Sequence, residues 1–346
     1  KQLLNIVGRD TMLQQTAARL KPLFRDKQLW IVTNAEQVAQ VKSQLSKIPR
    51  SQILSEPMGR NTAAAIALAA FNIRHATKKS AGDALMAVLP ADHFIADSAA
   101  YRRIVSAALE VASALGQMVV LGIPPAFPET GFGYIERGAA THAAPKTSAA
   151  DVFDVERFTE KPPLETAREY VSSGKYFWNA GMFFWRVSTF LDNLQRFLPK
   201  TYEALAALEK TIGTRRYPAT LKRIYASLQN ISVDYAILEP ATKQSGPRSV
   251  SVIPATIGWS DIGSWDAVYQ LLAKAPGENV STTDHVTIGA EGNFIWAPKN
   301  FVAAVGVNNL AIIETADALL VCARERAQEV GQVVKWLEER KRRDLL

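Results

Sequence analysis

The sequence predicts a doubly wound α/β domain followed by a small β-rich domain and a closing helix, and three observations carry that prediction. Short, uninterrupted apolar runs alternate with helical patterns from Leu29 to Ile123. After Pro128 the alternation gives way to two strand patterns and a series of helices. Beyond the polar segment Pro276-Gly277-Glu278-Asn279, short apolar runs follow one another closely. Apolar strands separated by helices imply a parallel sheet covered on both faces.

In order, Leu29 to Asn34 reads as a strand, Ala35 to Ser46 as a helix, Gln52 to Ser55 as a strand and Asn61 to Lys79 as an Ala-rich helix. Ala84 to Leu89, Ala99 to Leu115 and Met118 to Ile123 continue the alternation as strand, helix and strand. Gly131 to Glu136 and Val152 to Glu160 read as strands, separated by an Ala-rich surface loop from Gly138 to Ala150. Helices are expected at Leu164 to Ser173, Ser188 to Phe197, Lys200 to Ile212, Ala219 to Leu228 and Trp265 to Ala273. Runs at Val286 to Ile288, Asn293 to Trp296, Phe301 to Val305, Leu310 to Ile313 and Ala318 to Cys322 suggest a β-helix-like stack. Val330, Val333, Val334 and Leu337 recur at helical spacing and close the chain. The expected domains are residues 1–275 and 280–346.

With 346 residues, 48% of them hydrophobic, the chain has ample material for a core, and disorder or a disulfide-stapled mini-domain is excluded. A single cysteine, Cys322, forms no intrachain disulfide, so a reducing cytoplasm is the default expectation. The longest apolar stretch, Ala63 to Phe71, is far below the roughly 20 residues that span a bilayer. A net charge of +7 suits nucleic acid, anionic lipid or a phosphorylated metabolite. The densest basic run, Arg340 to Arg343, ends a helical pattern and is read as a solvated helix end.

Ligands of open α/β sheets sit beyond the carboxyl ends of the strands, which singles out three segments. Glu56-Pro57-Met58-Gly59-Arg60-Asn61-Thr62 offers a helix N-terminus to an anion or polar edge, and reads equally as a well-capped turn. Leu89-Pro90-Ala91-Asp92-His93 places a carboxylate where Mg²⁺ is ligated, or where a turn begins; His93 receives no role. Gly258-Trp259-Ser260-Asp261-Ile262-Gly263-Ser264-Trp265 holds a second carboxylate, which forms a metal site if it meets Asp92 and otherwise starts the next helix.

Together with Thr130-Gly131-Phe132-Gly133-Tyr134-Ile135, Glu160-Lys161-Pro162 and Trp178-Asn179-Ala180-Gly181-Met182-Phe183, these segments resemble the mannose-1-phosphate guanylyltransferases. Ser232-Val233-Asp234-Tyr235-Ala236 and Thr315 to Val321 extend the resemblance over nearly the whole chain. The resemblance implies a Rossmann-like, GT-A-like nucleotidyltransferase domain that transfers GMP from GTP to α-D-mannose 1-phosphate with Mg²⁺. It makes Asp92 and Asp261 metal ligands and places Lys1 and Lys161 near phosphates. Arg60, Asn61 and Thr62 then face the nucleotide, and Gly133, Tyr134, Glu160, Asn179 and Gly181 the sugar. A surface Glu160–Lys161 pair is the bland alternative. The expected partners are GTP and mannose 1-phosphate, without nucleic acid or membrane, with a homodimer left open.

These enzymes begin with a strand and a Gly-rich phosphate-cradling loop, whereas the sequence starts at Lys1-Gln2-Leu3-Leu4. A preceding segment of about 20 residues, a strand plus a loop, is therefore expected. Two alternatives stand beside the guanylyltransferase: a nucleotidyltransferase for another nucleotide and hexose 1-phosphate, and a non-catalytic nucleotide-sugar-binding regulator. A bifunctional isomerase is disfavoured, since the four histidines, at 75, 93, 142 and 285, are not clustered at metal-ligand spacing.

Overall fold

The computed structural model describes all residues except 79–81, 142–144, 146–149, 245–248, 343–344 and 346. The chain runs through α1 (Met12–Arg19), β1 (Ile31–Asn34), α2 (Val38–Gln44), β2 (Ile53–Glu56), α3 (Asn61–Thr77), β3 (Leu85–Val88), β4 (Phe94–Ile95), α4 (Ser98–Leu115) and β5 (Met118–Ile123). There follow β6 (Gly133–Ala140), β7 (Phe153–Glu160), α5 (Leu164–Ser173), β8 (Tyr176–Arg186), α6 (Val187–Phe197), α7 (Pro199–Glu209), α8 (Tyr217–Ser227) and α9 (Glu239–Thr242). The first region closes with β9 (Val250–Pro254), β10 (Trp259–Ser260) and α10 (Trp265–Leu272). The remainder is β11 (Val280–Ser281), β12 (His285–Ile288), β13 (Phe294–Trp296), β14 (Val302–Val305), β15 (Leu310–Glu314), β16 (Leu319–Ala323) and α11 (Val330–Glu339).

The central sheet is mixed, not parallel as the strand–helix alternation implied, with six strands in the order β3-β8-β5-β9-β7-β6. The long strand β8 runs antiparallel between β3 and β5, and β7 antiparallel to both β6 and β9, so among the described residues of this sheet only β5 and β9 pair in parallel. β1 and β2 form a separate parallel pair. Every residue of β5 is buried, as a strand covered on both faces requires. Apolar layers lie on the two faces: α3, α6, α7 and α8 contribute Phe71, Phe190, Leu205 and Tyr225 to one, and α4 and α5 contribute Tyr101, Val105 and Tyr170 to the other. Strand β6 reaches Ala140, into the stretch read as a loop, most of which lies outside the described residues.

The C-terminal region coils. β11, β13 and β15 stack in parallel, β12 and β14 form a second parallel pair, and β16 returns antiparallel to β15, so the β-helix-like expectation holds. A further core joins this coil to the α/β region through Met12, Ile262, Val268, Tyr269, Phe294 and Ile313. Helix α11 forms where the apolar spacing predicts it, yet none of its residues is buried. Among the described residues no helix is long and apolar enough to cross a membrane.

Candidate active site

A two-stranded ribbon brings the two aspartates together. β10 pairs antiparallel with β4, Ser260 opposite Phe94 and Trp259 opposite Ile95, so the residues just before β4 and just after β10 emerge at the same end. The ladder is prolonged by Ala96 N–H to the Gly258 carbonyl (3.0 Å) and Asp97 N–H to the Ile257 carbonyl (3.1 Å). Gly258 makes the close approach possible, since a Cβ there would lie 2.5 Å from Ala96 Cβ. At the tip, the Lys1 ammonium sits 3.2 Å from Asp92 Oδ2 and also donates to the Asp261 carbonyl. Burial pushes the Asp261 carboxyl above its ordinary value; a hydrogen bond from Gly263 N–H and the Lys1 charge oppose that rise, while Asp92 and Glu129 reinforce it. The carboxylate is aimed by an Asx turn, Gly263 N–H to Oδ1 at 3.0 Å, and the next residue, Ile262, takes φ 47°. A β-branched residue in that region signals strain held in place by its surroundings.

The Asp92 carboxylate and the Asp261 carbonyl both meet the Lys1 ammonium, with the Asp261 carboxylate held on Gly263 N–H. Such an oxygen-rich corner suits a hard divalent cation, which usually takes one or two carboxylates and completes its shell with phosphate and water. No group of three or more His, Cys, Asp or Glu forms a fuller cage among the described residues. His93, assigned no role from sequence, lies in this corner. Its Nδ1 accepts from the Trp259 indole N–H at 3.0 Å, and its Nε2 is 3.9 Å from Asp92 Oδ1. Burial lowers its pKa to about 4, with Lys1 and Arg19 acting in the same direction and Asp92 against it.

The second patch forms where β6, β7 and β8 meet. Gly133 pairs directly with Glu160, and a Cβ at Gly133 would collide with the Glu160 carboxylate. The β5–β8 register shifts between Val120, opposite Phe183, and Gly122, opposite Asn179, so Ala180 to Met182 form a bulge beside Asn179. Asn179 Oδ1 accepts from Gly181 N–H at 3.0 Å, and its amide donates to Asp234 Oδ1 at 2.9 Å. Asp234 opens a π-helical turn, Asp234–Leu238, a distortion that recurs at functional sites. Burial, then Asp234, raises the Glu160 pKa to about 7, against the pull of Lys161. The Lys161 ammonium is exposed and 3.9 Å from Glu160 Oε1, and its backbone sits at φ 50°. Gly181 joins the two patches, for a Cβ there would stand 3.5 Å from Pro90 Cγ and 3.8 Å from His93 Cε1.

Tyr134 does not line this patch. It is fully buried, its ring packs on Tyr170 and its hydroxyl donates to the Glu129 carbonyl. Strand alternation explains the correction: if Gly133 faces the site, its neighbour faces the core. Arg60, expected at the nucleotide, instead donates Nε and Nη2 to the Tyr225 and Ala226 carbonyls at the end of α8 (3.1 and 2.6 Å). Thr62 Oγ1 accepts from Val233 N–H at 2.9 Å, tying the start of α3 to the segment that carries Asp234. Exposed Asn61, at φ 63°, is the first residue of α3, and its Oδ1 accepts from the next N–H, that of Thr62, at 2.8 Å. Asp234 and His93, which the fold brings to the two patches, carried no site reading from sequence; the Ser232-to-Ala236 motif was the one signal for Asp234.

A sheet with carboxylates and lysines gathered beyond its strand ends is the architecture of a phosphate-handling α/β transferase. Residues 1–277 match the nucleotidyl transferase family model, and residues 283–337 match the MannoseP isomerase/GMP-like beta-helix domain. The mannose-1-phosphate guanylyltransferase of Salmonella muenchen is 38% identical over 351 residues, covering 99% of this chain and 70% of the relative. The mannose-1-phosphate guanylyltransferase of Escherichia coli strain K12 is 37% identical over 344 residues, covering 98% and 69%. A solved structure from Thermus thermophilus, described as a mannose-1-phosphate geranyltransferase, superposes with a TM-score of 0.80 at 33% identity, covering 95% of this chain and 90% of that one. The chain belongs to the mannose-1-phosphate guanylyltransferase family of nucleotidyl transferases.

Proposed function

We propose that the protein transfers GMP from GTP to α-D-mannose 1-phosphate, giving GDP-mannose and diphosphate, with Mg²⁺ as the metal. The observation that supports this reading most directly is the ribbon tip, where the Asp92 carboxylate and the Asp261 carbonyl meet one ammonium, apart from the Gly133–Glu160–Asn179 patch. Bound there by Asp92 and Asp261, the cation would neutralise charge on the phosphates. Lys1 and Lys161 add fixed positive charge on either side, as joining two anions demands. Glu160, when ionised, accepts hydroxyl hydrogens, and Gly133 leaves it the room to do so. Asn179, locked to Asp234 and Gly181, holds the bulge in shape. Residues 1–275 form the catalytic unit in this reading.

Diphosphate release, measured for each nucleoside triphosphate with each hexose 1-phosphate, tests the assignment. GTP with mannose 1-phosphate is expected to turn over fastest. Faster turnover of dTTP with glucose 1-phosphate would assign the site to another branch, and binding without turnover would make it a regulator.

A further inference from the structure

The His93 ring is fixed on its Nδ1 side and its backbone is anchored separately. Trp259 donates to Nδ1 and crosses the ring edge to face, with centroids 5.4 Å apart at 84°. Arg19 Nη1 donates to the His93 carbonyl at 2.9 Å, and a Cβ at Gly181 would already stand 3.8 Å from Cε1. Behind Trp259, Phe132 and then Trp178 continue the edge-to-face packing, so the indole has little freedom to turn away. Because Nδ1 accepts the indole hydrogen, the neutral ring carries its own hydrogen on Nε2. That N–H has no hydrogen-bond partner among the described residues and points towards Asp92, 3.9 Å from Oδ1. The distance exceeds a direct hydrogen bond, but a small rotation of the carboxylate or one bridging water closes it.

We infer that His93 is a positioning residue: its Nε2–H holds Oδ1 of Asp92 and so keeps Oδ2 turned to the opposite side, where Lys1 meets it and where the cation would bind, with Trp259 fixing the tautomer that makes this possible. The two oxygens of Asp92 already divide in this way, Oδ1 towards His93 and Oδ2 towards the Lys1 ammonium. Carboxylates that ligate metals are commonly oriented by such outer partners. The inference rests on the reading of Asp92 as a cation ligand, which the experiment tests separately.

The test is binding of Mn²⁺ alone to the full chain, followed by electron paramagnetic resonance, for wild type, His93→Phe, His93→Gln, Trp259→Phe and Asp92→Asn, with folding checked by circular dichroism. Loss of an outer partner weakens metal binding by roughly 10- to 100-fold, and that is the expected effect of His93→Phe. His93→Gln keeps an N–H donor near Nε2 and is expected to restore affinity to within about threefold of wild type. Trp259→Phe keeps the ring packing and removes only the indole donor, so it falls between the two. If Asp92→Asn abolishes Mn²⁺ binding while folded His93→Phe or Trp259→Phe binds as wild type does, the positioning role is overturned and the metal site stands. Equal weakness in His93→Gln and His93→Phe also overturns it. Should Asp92→Asn leave Mn²⁺ affinity unchanged, the metal site itself is wrong and the role of His93 falls with it.

Discussion

Glu160 is kept in surroundings that oppose its ionisation, with burial and Asp234 raising its pKa from the ordinary 4.5 to about 7. The folded chain therefore binds this proton more tightly than the unfolded chain, so its stabilising effect is full below pH 4.5, declines above it and is gone above pH 7. Glu160→Gln, which never ionises, should be more stable than wild type by roughly 1–3 kcal/mol at pH 8 and indistinguishable at pH 4. Thermal denaturation at the two pH values checks this; an equal difference at both removes the buried charge from the explanation. The same substitution should lower kcat/KM for the sugar phosphate by roughly 1.5–3 kcal/mol in transition-state terms and leave GTP binding nearly unchanged. A matching loss of GTP affinity would move Glu160 out of the sugar patch. Asp92 was legible as a candidate because a carboxylate directly after an apolar strand is a local signal, and Glu160 because of its Glu-Lys-Pro motif. His93 was not, because its part depends on Trp259, 166 residues away in the chain.

The β4–β10 ribbon is the element on which the metal reading turns. Asp92→Asn and Asp261→Asn should each remove most GTP-dependent activity, and the double variant should lose little more, since one site can be lost only once. Fully additive losses would separate the two carboxylates. Gly258→Ala adds a methyl 2.5 Å from Ala96 Cβ at a residue with φ 62°, so it should spread the ribbon, destabilise the chain by roughly 1–3 kcal/mol and weaken Mn²⁺ binding together. Unchanged metal affinity in the folded variant would show that the tip does not depend on ribbon closure. Helix α5 and strand β5 were readable to the residue from apolar periodicity. β8 was not, because Asn179 and Gly181 interrupt its apolar run, and its bulge is specified by pairing with β5 and not by local propensity. Missing β8 is also what made the sheet look parallel.

At the scale of the molecule, Arg324 fastens the coil to the α/β region. Its guanidinium pairs with Asp266, donates to the Gly292 carbonyl at 2.7 Å and lies 3.5 Å over the Tyr269 ring. Together with the shared core, this should make the chain unfold in one transition. Arg324→Ala is expected to destabilise it by roughly 1–3 kcal/mol, because Asp266 is left half-buried without its partner. A calorimetric trace that splits into two transitions in the wild type would show that the regions unfold separately. The coil was legible from its evenly spaced apolar runs, whereas its union with α10 was not, since a core shared by distant segments leaves no periodic trace. The apolar face of α11 was legible too, yet Val333 and Val334 remain half exposed and the spacing says nothing of what they meet.

The central sheet has a consequence for a chain made from one end. β9 is inserted between β5 and β7, and β10 supplies half of the ribbon, although both are synthesised long after the strands they join. While a ribosome adds residues at roughly 5–20 per second, the 166-residue interval between His93 and Trp259 corresponds to roughly 10–30 s during which Asp92 has emerged and its counterpart has not. A growing polypeptide therefore holds an unfinished sheet with β5 and β7 presenting edges, and it gains the paired aspartates only after β10 has been made. Any binding of nucleotide or cation that needs both aspartates is closed to the nascent chain until Asp261 has cleared the exit tunnel.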